Sequence, residues 1–133
     1  MIPPYSSKTY KVARTIESYF QKEEKRRDLP NGYLETMTIY TANLHMHSYG
    51  ARAITYILDR DGTREVMLEI PDWDLNWQNI FTFEKPIVLN RKNAEYLKMV
   101  VECSYQNPQD YPVRGGFGSD DEMCFNFAYT VFR

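Results

Sequence analysis

Ala51-Arg52-Ala53-Ile54-Thr55-Tyr56-Ile57-Leu58, then Asp59-Arg60-Asp61-Gly62, then Thr63-Arg64-Glu65-Val66-Met67-Leu68-Glu69-Ile70, is the stretch on which the fold class turns. Two runs rich in β-formers flank a connection ending in Asp-Gly, a strong hairpin signal because glycine takes positive φ without steric cost. The same grammar recurs on both sides. Upstream, Thr36 to His47 alternates with a period near two. Downstream, Trp73 to Phe83 is an aromatic, strand-like stretch, and a turn at Asn90 to Asn93 precedes Glu95 to Tyr105. That last segment fits a helix on periodicity alone, but its Val100-Val101 pair and turn-bounded length favour a strand. A polar connection from Gln106 to Ser119 leads to a final aromatic strand over Glu122 to Phe132. Short strands separated by turn signals predict an all-β, antiparallel sandwich or jelly roll.

The N-terminal part is less regular. Thr9 to Phe20 reads as a strand leading into something irregular, and Leu29-Pro30-Asn31-Gly32 is a turn signal. Between them, Gln21 to Asp28 carries four basic and three acidic groups, a run expected to stay solvated as a loop or short exposed helical turn.

With 133 residues, one domain spanning 1–133 is expected. Eighteen acidic against sixteen basic residues leave a net charge of -2, which argues against a nucleic-acid binder. Hydrophobic residues at 43% and aromatics at 15% suffice for a packed core. Apolar runs are only a few residues long, so no membrane span is expected, and no secretory signal pattern is present.

Both histidines of the chain lie in Leu44-His45-Met46-His47. On a strand, residues i and i+2 share a face, so His45 and His47 present two imidazoles side by side while Met46 points to the core. A metal site needs a third donor. The candidates are the carboxylates Asp120, Asp121 and Glu122, which would complete a facial triad suited to iron or zinc, the thiols, or a thioether such as that of Met123, which would favour copper. Spacing alone does not choose among them. Cys103 and Cys124, about twenty residues apart, are either two buried thiols or a disulfide closing a loop worth about 3 kcal/mol. Trp73, Trp77, Phe81 and Phe83 are candidates for a sugar-stacking platform or, more simply, for core. Gly115-Gly116-Phe117-Gly118 lacks the strand-to-helix context of a phosphate loop.

Taken together, Ile2-Pro3-Pro4, Leu44-His45-Met46-His47-Ser48-Tyr49-Gly50, Cys103-Ser104-Tyr105-Gln106-Asn107 and the block from Gly115 to Cys124 resemble the C-terminal domain of the copper type II, ascorbate-dependent monooxygenases, in order and spacing from Ile2 to Phe132. The resemblance implies an antiparallel β-sandwich of the jelly-roll type. It implies one copper held by His45, His47 and Met123 for oxygen activation and C–H hydroxylation, and a Cys103–Cys124 disulfide beside the methionine. It implies dioxygen and a reductant such as ascorbate as partners, with electrons relayed by a separate copper domain that uses three histidines. With both of its histidines already assigned, this chain has none for that second centre. Asn43 stands where the peptide-hydroxylating branch has a basic residue for the substrate carboxylate, and Phe127 where it has a tyrosine. Asn126 and Tyr129, on the last strand, are the substrate-binding candidates. A disulfide further implies a periplasmic or extracellular location. Two competing readings are a non-catalytic copper-binding or electron-transfer module of a larger protein, and a plain jelly-roll interaction domain.

Overall fold

The computed structural model describes residues 1–133. The Asp-Gly hairpin forms as expected: β3 (Gly50–Leu58) and β4 (Arg64–Ile70) pair antiparallel, with Gly62 at φ +89° and its N–H donating to Asp59 O at 3.0 Å. Around it, β1 (Ser6–Thr15) runs against β6 (Lys98–Asn107) over ten residue pairs, and β6 also pairs with β3. The first sheet is therefore ordered β1-β6-β3-β4. Glu95 to Tyr105 resolves in favour of a strand, beginning at Lys98.

The second sheet is built on β2 (Thr36–His45), with β5 (Phe81–Asn90) along one edge. The predicted last strand divides into β7 (Phe125–Phe127) and β8 (Thr130–Phe132), which pair with different parts of β2. Trp73 to Phe83 is not one strand either: Leu75–Trp77 forms a 3-10 turn, and β5 begins only at Phe81. Pairings nest as β1 with β6, β2 with β5 and β3 with β4, so the chain folds back on itself as two antiparallel sheets forming a β-sandwich.

Alternation on β2 supplies the core. Met37 and Ile39 are buried, then Ala42, Leu44 and Met46. The step from odd to even numbers coincides with a register shift against β5 between Ile39 and Thr41, and between its β8 and β7 pairings β2 advances one residue more than its partner, which keeps both halves facing inward. Met37, Ile39 and Ala42 pack with Ile57, Met67, Leu89, Met99 and Phe132, while Leu44 and Met46 join a second cluster with Ile2, Ala53, Cys103, Tyr105 and Val113.

The main departure from expectation is a helix, α1 (Ile16–Arg26), where the sequence suggested an irregular segment and a solvated charge run. Thr15 is its N-cap, Oγ1 accepting from Ser18 N–H at 3.3 Å, and Lys25 and Arg26 lie at its carbonyl end, where the helix dipole favours cations. Ile16, Phe20 and Glu24 are buried at i, i+4 and i+8. The charge run is thus not wholly solvated: Glu24 is only 2% exposed. Burial is tolerated because Arg91 reaches it at 2.7 Å, Leu34 N–H donates to it at 3.0 Å, and Arg91 also bridges to Glu17 at 2.7 Å.

The Arg91 hydrogen bond, backed by the Leu34 N–H and opposed by burial, holds the Glu24 carboxyl at a pKa of about 2. A lowered carboxyl pKa stabilises the fold fully above the ordinary carboxylate range and loses that contribution as pH falls toward 2. Arg91→Lys keeps the charge but loses the planar fork. Thermal unfolding is expected to show a Tm lower by about 5 °C at neutral pH and an acid-unfolding midpoint moved to higher pH.

Candidate metal centre

His45 ends β2 and His47 follows in the turn to β3. Leu44 and Met46 are buried on one side, and the two imidazoles lie on the other with ring centroids 5.2 Å apart, edge to face. Strand alternation therefore brings the histidines together as the His-x-His spacing suggested.

Each ring is fixed by an acceptor. His45 Nδ1 lies 2.5 Å from Gln78 Oε1, and Gln78 Nε2 donates to Leu75 O at 3.1 Å, which orients the amide oxygen toward the ring. His47 Nδ1 lies 2.8 Å from the carbonyl oxygen of Asp121. Carbonyl oxygens only accept, so these contacts call for the tautomer with hydrogen on both Nδ1 atoms and the lone pair at Nε2. This tautomer is the one in which Nε2 serves as a metal ligand while the other ring nitrogen is held by an outer partner.

The turn under His47 is equally constrained. His47 O accepts from Trp73 Nε1 and from Gly50 N–H, both at 3.2 Å. A Cβ on Gly50 would come within 2.8 Å of Trp73 Cδ1 and 2.9 Å of Met46 Cε, so only glycine allows Trp73 to lie this close. Glu122 lies beneath the same turn. Its carboxylate accepts from the backbone N–H groups of His47 at 2.8 Å, Tyr49 at 2.6 Å and Met123 at 3.3 Å.

These contacts bear on the third donor. Glu122 is only 6% exposed and both its oxygens are taken by N–H groups. Asp121 accepts from Gly118 N–H at 3.1 Å and faces Arg114 at 3.5 Å, while Asp120 is exposed. No group of three or more His, Cys, Asp or Glu side chains is placed to hold a metal ion. The cysteines offer no thiolate, because Cys103 and Cys124 form a disulfide with Cα atoms 5.9 Å apart.

Met123 precedes that disulfide directly. It lies two residues before Phe125, which pairs with His45 at the end of the β2–β7 ladder. Its backbone carbonyl accepts from the Tyr105 hydroxyl. Burial, followed by the nearby charges of Glu122 and Tyr10, pushes the Tyr105 phenol well above its ordinary value, so it remains a donor across the physiological range. Met123 also borders a cavity of about 250 Å³, lined mainly by apolar groups including Ile2, Tyr10, Val12, Tyr105 and Val113, which neither histidine touches.

The two substrate candidates occupy different places. Asn126 pairs with Leu44, and its amide turns between the sheets, with Oδ1 accepting from Asn43 N–H at 3.2 Å and Nδ2 3.4 Å from Thr55 Oγ1. Tyr129 is 65% exposed, with its ring 5.9 Å from Tyr40 and its N–H donating to Thr41 Oγ1. The groups beside the imidazoles are Phe125 and Phe127, whose rings are 5.8 Å apart, with Phe127 6.3 Å from His45. Strand alternation from Met123 would have found both. Gln78 was missed, since nothing in its local sequence points to a histidine 33 positions away. Trp73, Trp77, Phe81 and Phe83 form no common platform: Trp73 packs on the second core cluster, Phe83 on the first, and Trp77 projects into solvent.

Residues 1–131 match the family model of the copper type II ascorbate-dependent monooxygenase C-terminal domain. Dopamine beta-hydroxylase of Equus caballus is 30% identical over 94 residues, covering 68% of this chain and 14% of the relative. Dopamine beta-hydroxylase of Rattus norvegicus is 28% identical over 93 residues, with the same coverage of each chain. The match thus spans about a seventh of either relative's length. The chain belongs to the copper type II ascorbate-dependent monooxygenase family, in the part that corresponds to its C-terminal domain.

Proposed function

We propose that, as a member of this family, the chain is a copper-binding catalytic domain whose single copper is held by His45 Nε2, His47 Nε2 and the Met123 thioether. The observation that carries the reading is a shared geometry: two adjacent imidazoles, each with Nδ1 held against a fixed carbonyl oxygen and Nε2 turned away from it. Two imidazoles and a thioether form a donor set suited to copper in both oxidation states. Copper bound there would supply the one-electron chemistry by which dioxygen hydroxylates a C–H bond, with ascorbate or a comparable reductant as electron source.

The protein's own groups contribute position and exclusion. Gln78 and the Asp121 carbonyl hold the ring planes, Tyr105 and the disulfide fix the backbone of Met123, and Leu44 and Met46 close the inner side with apolar surface. Phe125 and Phe127 offer a substrate an uncharged wall, and Asn43 adds no positive charge beside it. Asn126 would act on that wall through the Asn43 backbone, and Tyr129 as a more distant contact. The nested strand pairing supports a jelly-roll course for the chain. The disulfide supports a periplasmic or extracellular location. A separate copper or redox domain would complete electron delivery.

Copper stoichiometry, combined with spectroscopy of the bound ligands, tests the site. The purified chain should retain about one copper, and Met123→Ile should weaken Cu(I) more than Cu(II), since the softer ion gains more from sulfur. Equal affinities before and after the substitution would remove Met123 from the site. A second reading is a copper-binding or electron-transfer module without hydroxylation, because this chain has no histidines left to build the three-histidine centre that would relay electrons for hydroxylation. Ascorbate oxidation uncoupled from product formation, in a protein that binds copper normally, would select it.

A further inference from the structure

We infer that Glu122 is a positioning residue that sets His47 against Met123, an inference resting on the reading of His45, His47 and Met123 as copper ligands. A carboxylate this deeply buried ordinarily has a cation beside it, as Glu24 has Arg91. Glu122 forms no ion pair with any lysine or arginine. Its charge is met by backbone N–H groups alone, those of His47, Tyr49 and Met123.

Two of those donors belong to the turn that carries one proposed ligand, and the third is the amide of another. An ionised carboxylate suits this task because it is acceptor-only with about four lone-pair sites, so all three donors can be met without conflict. Such charge-assisted bonds are stronger than neutral ones, and burial strengthens them further.

The anchor itself is rigid. Glu122 N–H donates to Arg114 O at 2.8 Å, and its carbonyl accepts from Gly116 N–H at 3.1 Å. The neighbouring Asp121 carbonyl holds the His47 ring, so two successive residues fix the backbone and the side chain of one histidine. Just beyond, Cys124 is tied to β6 and Phe125 is paired with His45 on β2. The segment from Asp121 to Phe125 therefore crosses between the sheets, and Glu122 is its side-chain link to the histidine turn.

Glu122→Gln is the nearly isosteric test. The amide presents an NH2 group where one backbone N–H needs an acceptor, so one of the two turn contacts must break. At a temperature where circular dichroism shows the variant fully folded, Cu(I) affinity measured by chelator competition is expected to fall about 10–100-fold. X-ray absorption should show the sulfur contribution weakened and the imidazole contribution retained. A purely structural role would lower the Tm yet leave the folded protein with unchanged Cu(I) affinity and sulfur signature, and that result would overturn the inference. Should Glu122→Gln not fold, Glu122→Asp decides by the same measurements, since it keeps the charge but is one methylene too short to span the turn. Met123→Ile run in parallel separates the two levels. Unchanged Cu(I) affinity in Met123→Ile sinks the ligand reading itself, whereas lost affinity there beside an unaffected Glu122 variant sinks only the positioning role.

Discussion

His45→Ala and His47→Ala are each expected to weaken copper binding more than about 100-fold, beyond the 10–100-fold that loss of an outer partner typically costs. The His45 side chain lies on the outward face at the end of β2 and that of His47 in the turn just beyond, while the inward positions Leu44 and Met46 carry the packing. Thermal stability of the metal-free protein should therefore change by only about 1 kcal/mol. Titration with a competing Cu(I) chelator, read beside thermal unfolding, separates a lost ligand from a lost fold. Gln78→Ala offers a graded comparison. It frees the Nδ1 of His45 without touching Nε2, so its effect should fall in the outer-partner range and be absent in a His45→Ala background. Copper retained at wild-type affinity in the double histidine variant would exclude this pair as the site, whereas a wild-type chain that keeps no copper after dialysis would return to the reading of a plain interaction domain.

What made the site legible was a local rule. Period-two alternation puts residues i and i+2 on one face, and that suffices for His45 with His47 and for the inward turn of Met46. Choosing Met123 over three acidic neighbours required the family resemblance, because the occupation of Glu122 by N–H donors depends on contacts across more than 70 residues. The fold divides along the same line. Asp61-Gly62 declared its hairpin, and Val100-Val101 its strand. Helix α1 stayed hidden because only Ile16, Phe20 and Glu24 mark its inner stripe, and the third of these is a carboxylate. Its burial makes sense only once Arg91, 67 positions away, is beside it. Strand β5 was obscured by Glu84, Lys85 and Pro86, which an edge strand tolerates because one row of its backbone groups has no ladder to serve. The final strand reads as continuous, yet the chain leaves the ladder at Ala128 and Tyr129 to serve β2 twice.

Replacing both cysteines, Cys103→Ala with Cys124→Ala, is expected to cost about 3 kcal/mol, the chain-entropy value for a loop of this length. The sequence separation is 21 residues, and most of the closed loop is the connection from Gln106 to Ser119, which carries little regular structure to restrict it when unfolded. Paired replacement avoids leaving one reactive thiol. Chemical denaturation should show a lower midpoint with a similar or slightly larger slope, since the cross-link restrains mainly the unfolded chain. The consequence for copper should be smaller than the consequence for stability. The Tyr105 hydroxyl on Met123 O, the Glu122 carboxylate and the β7 pairing with β2 all persist without the sulfur bridge, so three independent restraints still hold the methionine. Cu(I) affinity of the folded double variant is therefore expected to fall by less than tenfold, well short of the effect of losing either imidazole. A drop as large as that of His47→Ala, at a temperature where the variant remains folded, would make the disulfide the principal anchor of Met123 and the carboxylate beneath the turn a minor one.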